Sequence, residues 1–278
     1  MTEPYWQTSR FRIGLSRPQV MGIVNITPDS FSDGGQHADA ATAIRHAELL
    51  VQQGADILDL GGESTRPGAP PLPLEEEMAR VLPVLKEVVR WQVPVSIDTY
   101  KPEMMQACLD LGADIINDVW ALRRGGSGVV AGHPHCGVCL MHMHLEPQSM
   151  QAAPMQGDAV PQVAAFLQEQ AQKLMAQGVA PERIVLDAGV GFGKTVAQNY
   201  SLLARQNELL ALGFPLLAGW SRKSSLGAVT GRSQPLERVA ASVAAAVLAA
   251  DRGARIVRVH DVAETVDGLK VWQAALGG

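Results

Sequence analysis

Apolar and polar positions along this chain vary on two length scales. Eight short, nearly continuous apolar runs occupy residues 20–24, 57–60, 93–97, 115–117, 138–141, 184–186, 215–218 and 256–259. Runs of that length, rich in Val, Ile and Leu and without alternation, are the pattern of strands covered on both faces. Between them lie longer amphipathic or Ala/Leu-rich stretches at 38–53, 74–90, 102–111, 162–177, 198–212, 236–252 and 262–276, each of helical length. The fourth run is followed only by 123–134, where glycines interrupt the helical pattern. Eight strand-then-helix units predict a parallel sheet. Within 278 residues they fit a closed (β/α)8 TIM barrel, typically about 250 residues long. An open doubly wound sheet is the competing topology, but no early glycine-rich dinucleotide turn supports it. Residues 1–17 lack the pattern and read as a cap or hairpin ahead of one barrel domain over 18–278.

A barrel places its chemistry at the C-terminal ends of its strands. Those ends carry Asn25, Glu63-Ser64-Thr65-Arg66, Asp98-Thr99, Asn117-Asp118, His142, Asp187, Ser221-Arg222-Lys223, and Arg258 with His260. A single polar residue there is explained by capping the next helix, and Asp261 with Glu264 three residues on reads as such a cap. Eight polar endings in step are not. The first loop is the densest: the apolar strand VMGIV gives way to NITPDSFSDGG over 25–35, where Pro28 and two glycines break regular structure around a set of oxygen-bearing side chains.

Composition narrows the function classes. A net charge of −5 offers no basic field for nucleic acid, although a local cluster can still hold an anionic small molecule. The first ten residues have no apolar signal core, and the alanine-rich run 239–250 is too short to span a bilayer. Three cysteines suit a reducing compartment better than a disulfide framework. A soluble, cytoplasmic protein is expected.

The segments MGIVNITPDSFSDGG (21–35), DLGGESTRPGA (59–69), SIDTYKP (96–102), INDV (116–119), MHM (141–143), DAGVGFGKT (187–195), GWSRKS (219–224) and VRVHDV (257–262) together resemble the bacterial dihydropteroate synthase family of pterin-binding barrel enzymes. The resemblance runs from the first strand to the last. It implies a transferase of folate biosynthesis joining 6-hydroxymethyl-7,8-dihydropterin diphosphate to 4-aminobenzoate, with Mg²⁺, a homodimeric assembly and sulfonamides as inhibitors. It assigns Asn25 to the metal and Thr65, Arg258 and His260 to the diphosphate. Asp98, Asn117, Asp187 and Lys223 fall to the pterin, and Phe31, Asp33, Arg66, Pro67, Phe192 and Ser224 to the arylamine. Asp98, Lys223, Arg258 and His260 are the implied catalytic set. The residue types suit these tasks. A guanidinium fork matches phosphate oxygens, and a carboxylate matches the donor edge of a pterin. A neutral amide oxygen suits a metal that leans on phosphate and water. Two departures from the family pattern are local: His144-Leu145 after MHM, and Ala188 after Asp187 where the family carries Pro. The alternatives are a methyltransferase acting from methyltetrahydrofolate to a corrinoid, and a silent pterin-binding paralogue.

Other signals carry less. AGVGFGKT (188–195) has the look of a phosphate loop, but Ala188 stands where its first glycine belongs and Asp187 precedes it. HPHCGVCLMHMH (133–144) has zinc-like composition, yet strand alternation sends Cys139 and His142 to opposite sides, so buried thiols with strand-end histidines fit better. His142 sits at a strand end, which suggests the barrel mouth, but it reads at least as well as a satisfied structural histidine. Helix 236–252 is apolar around most of its circumference, which fits either a partner surface or close packing among neighbouring helices.

Overall fold

The computed structural model describes residues 3–26, 35–64, 70–146, 150 and 153–277. Eight parallel strands close on themselves: β3 (Gln19–Asn25), β4 (Ile57–Gly61), β5 (Val95–Asp98), β6 (Ile115–Asp118), β7 (Gly137–Met141), β8 (Ile184–Asp187), β9 (Leu216–Ala218) and β10 (Ile256–Val259), the last pairing with β3. Each follows an expected apolar run, and the chain is a (β/α)8 barrel. The connecting helices are α1 (Gly35–Gln52), α2 (Leu74–Val88), α3 (Pro102–Asp110), α4 (Ser127–Gly132), α5 (Ala159–Ala176), α6 (Val196–Ala204), α7 (Gln206–Leu210), α8 (Ser224–Thr230), α9 (Val239–Asp251) and α10 (Val262–Leu276).

Three helices differ from the sequence expectation for identifiable reasons. The stretch 198–212 breaks at Arg205 into α6 and α7, which buries Gln206 so that its amide donates to the carbonyls of Ala249 (2.9 Å) and Arg252 (3.0 Å) at the end of α9. Those carbonyls lie at a helix terminus, where they need an outside donor. The stretch 236–252 opens as a 3₁₀ turn, Pro235–Arg238, before α9. The glycine-broken fourth unit keeps only the six residues of α4. Ahead of α4, Ala121 and Leu122 adopt left-handed backbone (φ 50° and 62°). The buried Asp118 carboxylate holds that turn by accepting from Trp120 N (2.7 Å) and Leu122 N (2.8 Å).

Side-chain alternation sorts the barrel strands into two sets. Outward residues such as Val24, Leu60, Ile97, Leu140 and Leu186 pack beneath the helices in the main core. Inward residues at the N-terminal end, Met21, Ile57, Ile115, Cys139, Val185, Leu217 and Ile256, form a second apolar cluster with Trp6, Ile13 and Leu15. The latter three come from an antiparallel hairpin, β1 (Tyr5–Gln7) and β2 (Arg12–Gly14). It is fastened by Trp6 Nε1 donating to Arg183 O (2.9 Å) and by Arg10 against the fully buried Asp114 (Nη2–Oδ2 2.5 Å). The hairpin closes the bottom of the barrel, which leaves the other mouth for chemistry.

Candidate functional site

Two residues further along four of these strands the inward set changes from apolar to polar. Ile57 is followed by Asp59, Ile115 by Asn117, Val185 by Asp187 and Ile256 by Arg258. Asp98 joins them at the end of β5, in register with Asn117. The period of two that packs the floor with hydrocarbon thus raises carboxylates, an amide and a guanidinium toward the open end.

Arg258 bridges the acids. Its Nε donates to Asp59 Oδ2 (2.6 Å) and its Nη2 to Asp98 Oδ2 (2.7 Å), while Asn117 Nδ2 donates to Asp59 Oδ2 (3.1 Å). Asp59 is fully buried, and its second oxygen, Oδ1, has no hydrogen-bond partner among the described residues. Burial pushes the Asp98 carboxyl up to about 7, against the pull of Arg258 and with help from neighbouring acids. Burial also raises Asp187, opposed by the Gly189 N–H, which donates to its Oδ1 (2.7 Å), and by Lys223, Lys194 and Arg258. Lys223 is lowered to about 8, chiefly by burial, with Asp187 and Asp98 opposing the shift. Its ammonium lies 4.2 Å from the centre of the Phe192 ring, a cation–π distance. Asp98, Asn117, Asp187, Lys223, Phe192 and Arg258 therefore share one connected neighbourhood.

The loop after β8 is shaped for this. Gly189 has φ +65°, and a Cβ there would sit 1.8 Å from His142 O, so no other residue fits. Lys194 is buried and donates to the carbonyls of Gly189 (2.8 Å), Phe192 (3.1 Å) and His142 (3.3 Å). Its ammonium is spent inside its own loop, which removes the cation a phosphate loop would present.

The remaining residues fall as follows. Asn25 ends β3 half-buried, in register with Gly61. Ser224 is exposed and opens α8. Ser221 Oγ lies 2.9 Å from His260 Nδ1, which ties the β9 and β10 loops together. Phe31, Asp33, Thr65, Arg66 and Pro67 lie outside the described residues. His142 is buried, edge-on to Phe166 of α5 at 4.9 Å, but its Nδ1 has no hydrogen-bond partner among the described residues, so it is not the satisfied structural histidine expected. Asp261 is a correction: it stands at the start of α10, but its side chain makes no cap bond. It takes both Arg222 nitrogens instead (Nη2 2.5 Å, Nε 3.1 Å), because a full guanidinium outcompetes a pair of backbone N–H groups. All three cysteines are buried, Cys139 inside the barrel.

Asp59 is the residue that reading the motifs leaves without a role. The available signal is an acid in the middle of ILDLG, at an inward position of a strand otherwise suited to hydrocarbon. Lys194 gives no such signal, since a lysine in a glycine-rich turn reads as exposed.

A closed barrel with ionised and amide groups converging at the C-terminal mouth defines an enzyme of the (β/α)8 class that grips a polar small molecule. A profile described as "Pterin binding enzyme" matches residues 21–260, and the chain belongs to that family. The dihydropteroate synthase of Neisseria meningitidis serogroup B is 52% identical over 280 residues, covering 99% of this chain and 98% of the relative. The Xanthomonas albilineans dihydropteroate synthase solved with 4-aminobenzoic acid superposes with TM-score 0.94 at 49% identity, over 100% of both chains. The Burkholderia cenocepacia enzyme complexed with 7,8-dihydropteroate gives TM-score 0.90 at 50% identity, over 100% of this chain and 98% of that one.

Proposed function

We propose that this chain is a dihydropteroate synthase: a transferase that joins 6-hydroxymethyl-7,8-dihydropterin diphosphate to 4-aminobenzoate, releasing diphosphate and 7,8-dihydropteroate. The observation that carries the reading is the Arg258-bridged pair Asp59 and Asp98, set among Asn117, Asp187 and Lys223 on the inner wall of one barrel mouth. A pterin offers a guanidine-like row of N–H donors, and buried carboxylates with an unspent acceptor suit that row. Asp98, Asn117 and Asp187 bind the ring, and Lys223 reaches its carbonyl while flanking the arylamine over Phe192.

The reaction forms a C–N bond between the arylamine nitrogen and the pterin methylene carbon. The C–O bond breaks with its electron pair going to diphosphate, and the amine gives up one proton. Arg258, His260 and Thr65 meet the departing diphosphate; a guanidinium keeps its charge throughout. Buried acids stabilise positive charge developing on the pterin methylene as the leaving group departs. Phe31, Asp33, Arg66, Pro67 and Phe192 hold the arylamine, and Ser224 at the start of α8 receives its carboxylate.

The donor set is also compatible with Mg²⁺ as a one-point anchor. Asn25 offers a single amide oxygen, and no group of three or more His, Cys, Asp or Glu side chains among the described residues encloses a metal. Such a site suits an ion that arrives with phosphate oxygens and keeps its waters. When bound, the ion supplies positive charge to the leaving group.

We also infer a homodimer in the cytoplasm. Among the described residues no helix is long and apolar enough to cross a membrane. α9 packs on α10, and Leu248 (44% exposed), Val271 (73%) and Leu276 (64%) remain in water on that pair. Covering them is favourable by roughly 25 cal/mol per Å², and sedimentation at low concentration tests it. The activity is tested by mixing both substrates with Mg²⁺ and following diphosphate and dihydropteroate. Absence of both products with well-folded protein rejects the assignment in favour of a silent binder, and methyl transfer to a corrinoid would favour the other pterin chemistry.

A further inference from the structure

The β9–α8 loop and the β10–α10 loop are held together by two adjacent pairs. Ser221 faces His260 and Arg222 faces Asp261, each pair making two hydrogen bonds. Arg222 has φ +59°, a left-handed conformation that a bulky residue adopts only when its surroundings over-determine it. Here its N–H donates to Ser242 Oγ (2.9 Å), its carbonyl accepts from Arg238 Nη1 (2.9 Å), and its guanidinium grips Asp261. The kink at Arg222 turns Ser221 toward the β10 loop, while the next residue is Lys223.

The Ser221 hydroxyl is then fully committed. It is 6% exposed, accepts from the backbone N–H of His260 (3.1 Å), and lies 2.9 Å from the Nδ1 of the same residue. A hydroxyl has one proton to give. If Nδ1 carried the ring proton, Ser221 Oγ would accept twice and its own buried proton would have no acceptor among the described residues, an arrangement folded proteins avoid. If Nδ1 is bare, the hydroxyl donates to it while accepting the backbone N–H, and the Ser221 hydroxyl is satisfied in both roles. The same residue that takes the His260 backbone N–H thereby fixes which ring nitrogen is protonated.

We propose that Ser221 is a positioning residue that holds His260 as the neutral Nε2–H tautomer, making Nε2 the hydrogen-bond donor of that ring. The clasp with Arg222 and Asp261 keeps this pairing in register, so the donor toward diphosphate is set before substrate arrives. A preset donor costs no reorganisation as charge builds on the leaving group. The tautomer follows from the Ser221 geometry alone; its use toward diphosphate rests on the function proposed above.

The test uses the full chain labelled with ¹⁵N-histidine, the His260 signals being those lost in His260→Gln. The expected spectrum shows Nδ1 as the bare, pyridine-like nitrogen and Nε2 as the protonated one. Ser221→Ala mixes the tautomers, and Ser221→Thr, which keeps the hydroxyl, restores the original state. In turnover, Ser221→Ala raises the KM for the dihydropterin diphosphate and the Ki for inorganic diphosphate by about tenfold, the loss of one hydrogen bond to a charged group. The KM for 4-aminobenzoate stays unchanged, whereas a general loosening of the loop would move both. A wild-type spectrum with the proton on Nδ1 overturns the inference whatever the activity. So does a Ser221→Ala protein with unaltered tautomer and diphosphate Ki. A wild type that shows the Nε2–H state yet makes no dihydropteroate upholds the tautomer and rejects the functional reading.

Discussion

Arg258 sits where two negative groups would otherwise confront each other inside a protein, so replacing it by Met isolates what the bridge contributes. Methionine keeps an unbranched side chain of similar reach and removes the charge. The guanidinium spans Asp59, fully buried, and Asp98, 11% exposed, at 2.6 and 2.7 Å. Removing one partner from such a buried arrangement costs about 3–5 kcal/mol, or a fall in Tm of roughly 6–20 °C at about 2–4 °C per kcal/mol. The loss should depend on pH. Asp98 in the folded protein titrates near 7, with burial raising it and Arg258 holding it down. In Arg258→Met only the restraining influence goes, so the folded-state value rises further, while an unfolded Asp stays near about 3.9. Between those values the folded protein binds more protons than the unfolded chain, so stability falls as pH rises. The variant continues to fall above pH 7, where the wild type has levelled. Urea unfolding at pH 5 and pH 8 should therefore show a small deficit at pH 5 and the full one at pH 8. Adding Asp98→Asn should recover at least ~1 kcal/mol at pH 8, because neighbouring sites couple. A deficit equal at both pH values, or strict additivity of the pair, would show that Arg258 does not restrain Asp98.

Three further outcomes are expected. Trp6→Ala empties the plug beneath the barrel and should cost about 3–5 kcal/mol in chemical unfolding, with both KM values unchanged because the cavity lies at the end opposite the mouth. Lys194→Met removes three hydrogen bonds to carbonyls. Burial lowers the folded Lys194 to about 7, against about 10.4 in the unfolded chain, so in wild type the folded state binds fewer protons between those values and gains stability as pH rises. The Lys194→Met deficit should then be larger at pH 9.5 than at pH 7, as read by urea unfolding, and a deficit that shrinks would contradict it. Lys223, lowered to about 8 by burial, should lose its charge in the free enzyme above that pH; kcat/KM for the pterin substrate should decline there, and Lys223→Arg should flatten the decline in a pH–rate profile.

Much of this architecture is written locally. Each barrel strand is a short apolar run because both of its faces are covered, so it stands out against the helices without any knowledge of its partners. Strand ends are equally legible, which is why Asp98, Asn117, Asp187 and Arg258 could be named before the fold was known. The break at Arg205 could not, since the reward for it, Gln206 reaching the end of α9, comes from a segment more than forty residues away. Asp261 illustrates the same limit. Its sequence context describes a helix cap, and only the fold brings Arg222 close enough to take the carboxylate.

The alternation of buried runs and helical stretches, and with it the barrel and the polar rim of its mouth, is encoded along the chain, because burial acts residue by residue. The tertiary structure alone decided which of those polar groups face one another. Asp59 and Asp98 share Arg258, Lys194 turns its charge into its own loop, and Ser221 meets His260 across two strands' loops. Electrostatic and hydrogen-bond partnerships depend on distances of a few ångströms between segments far apart in the chain, and those distances exist only once the barrel has closed.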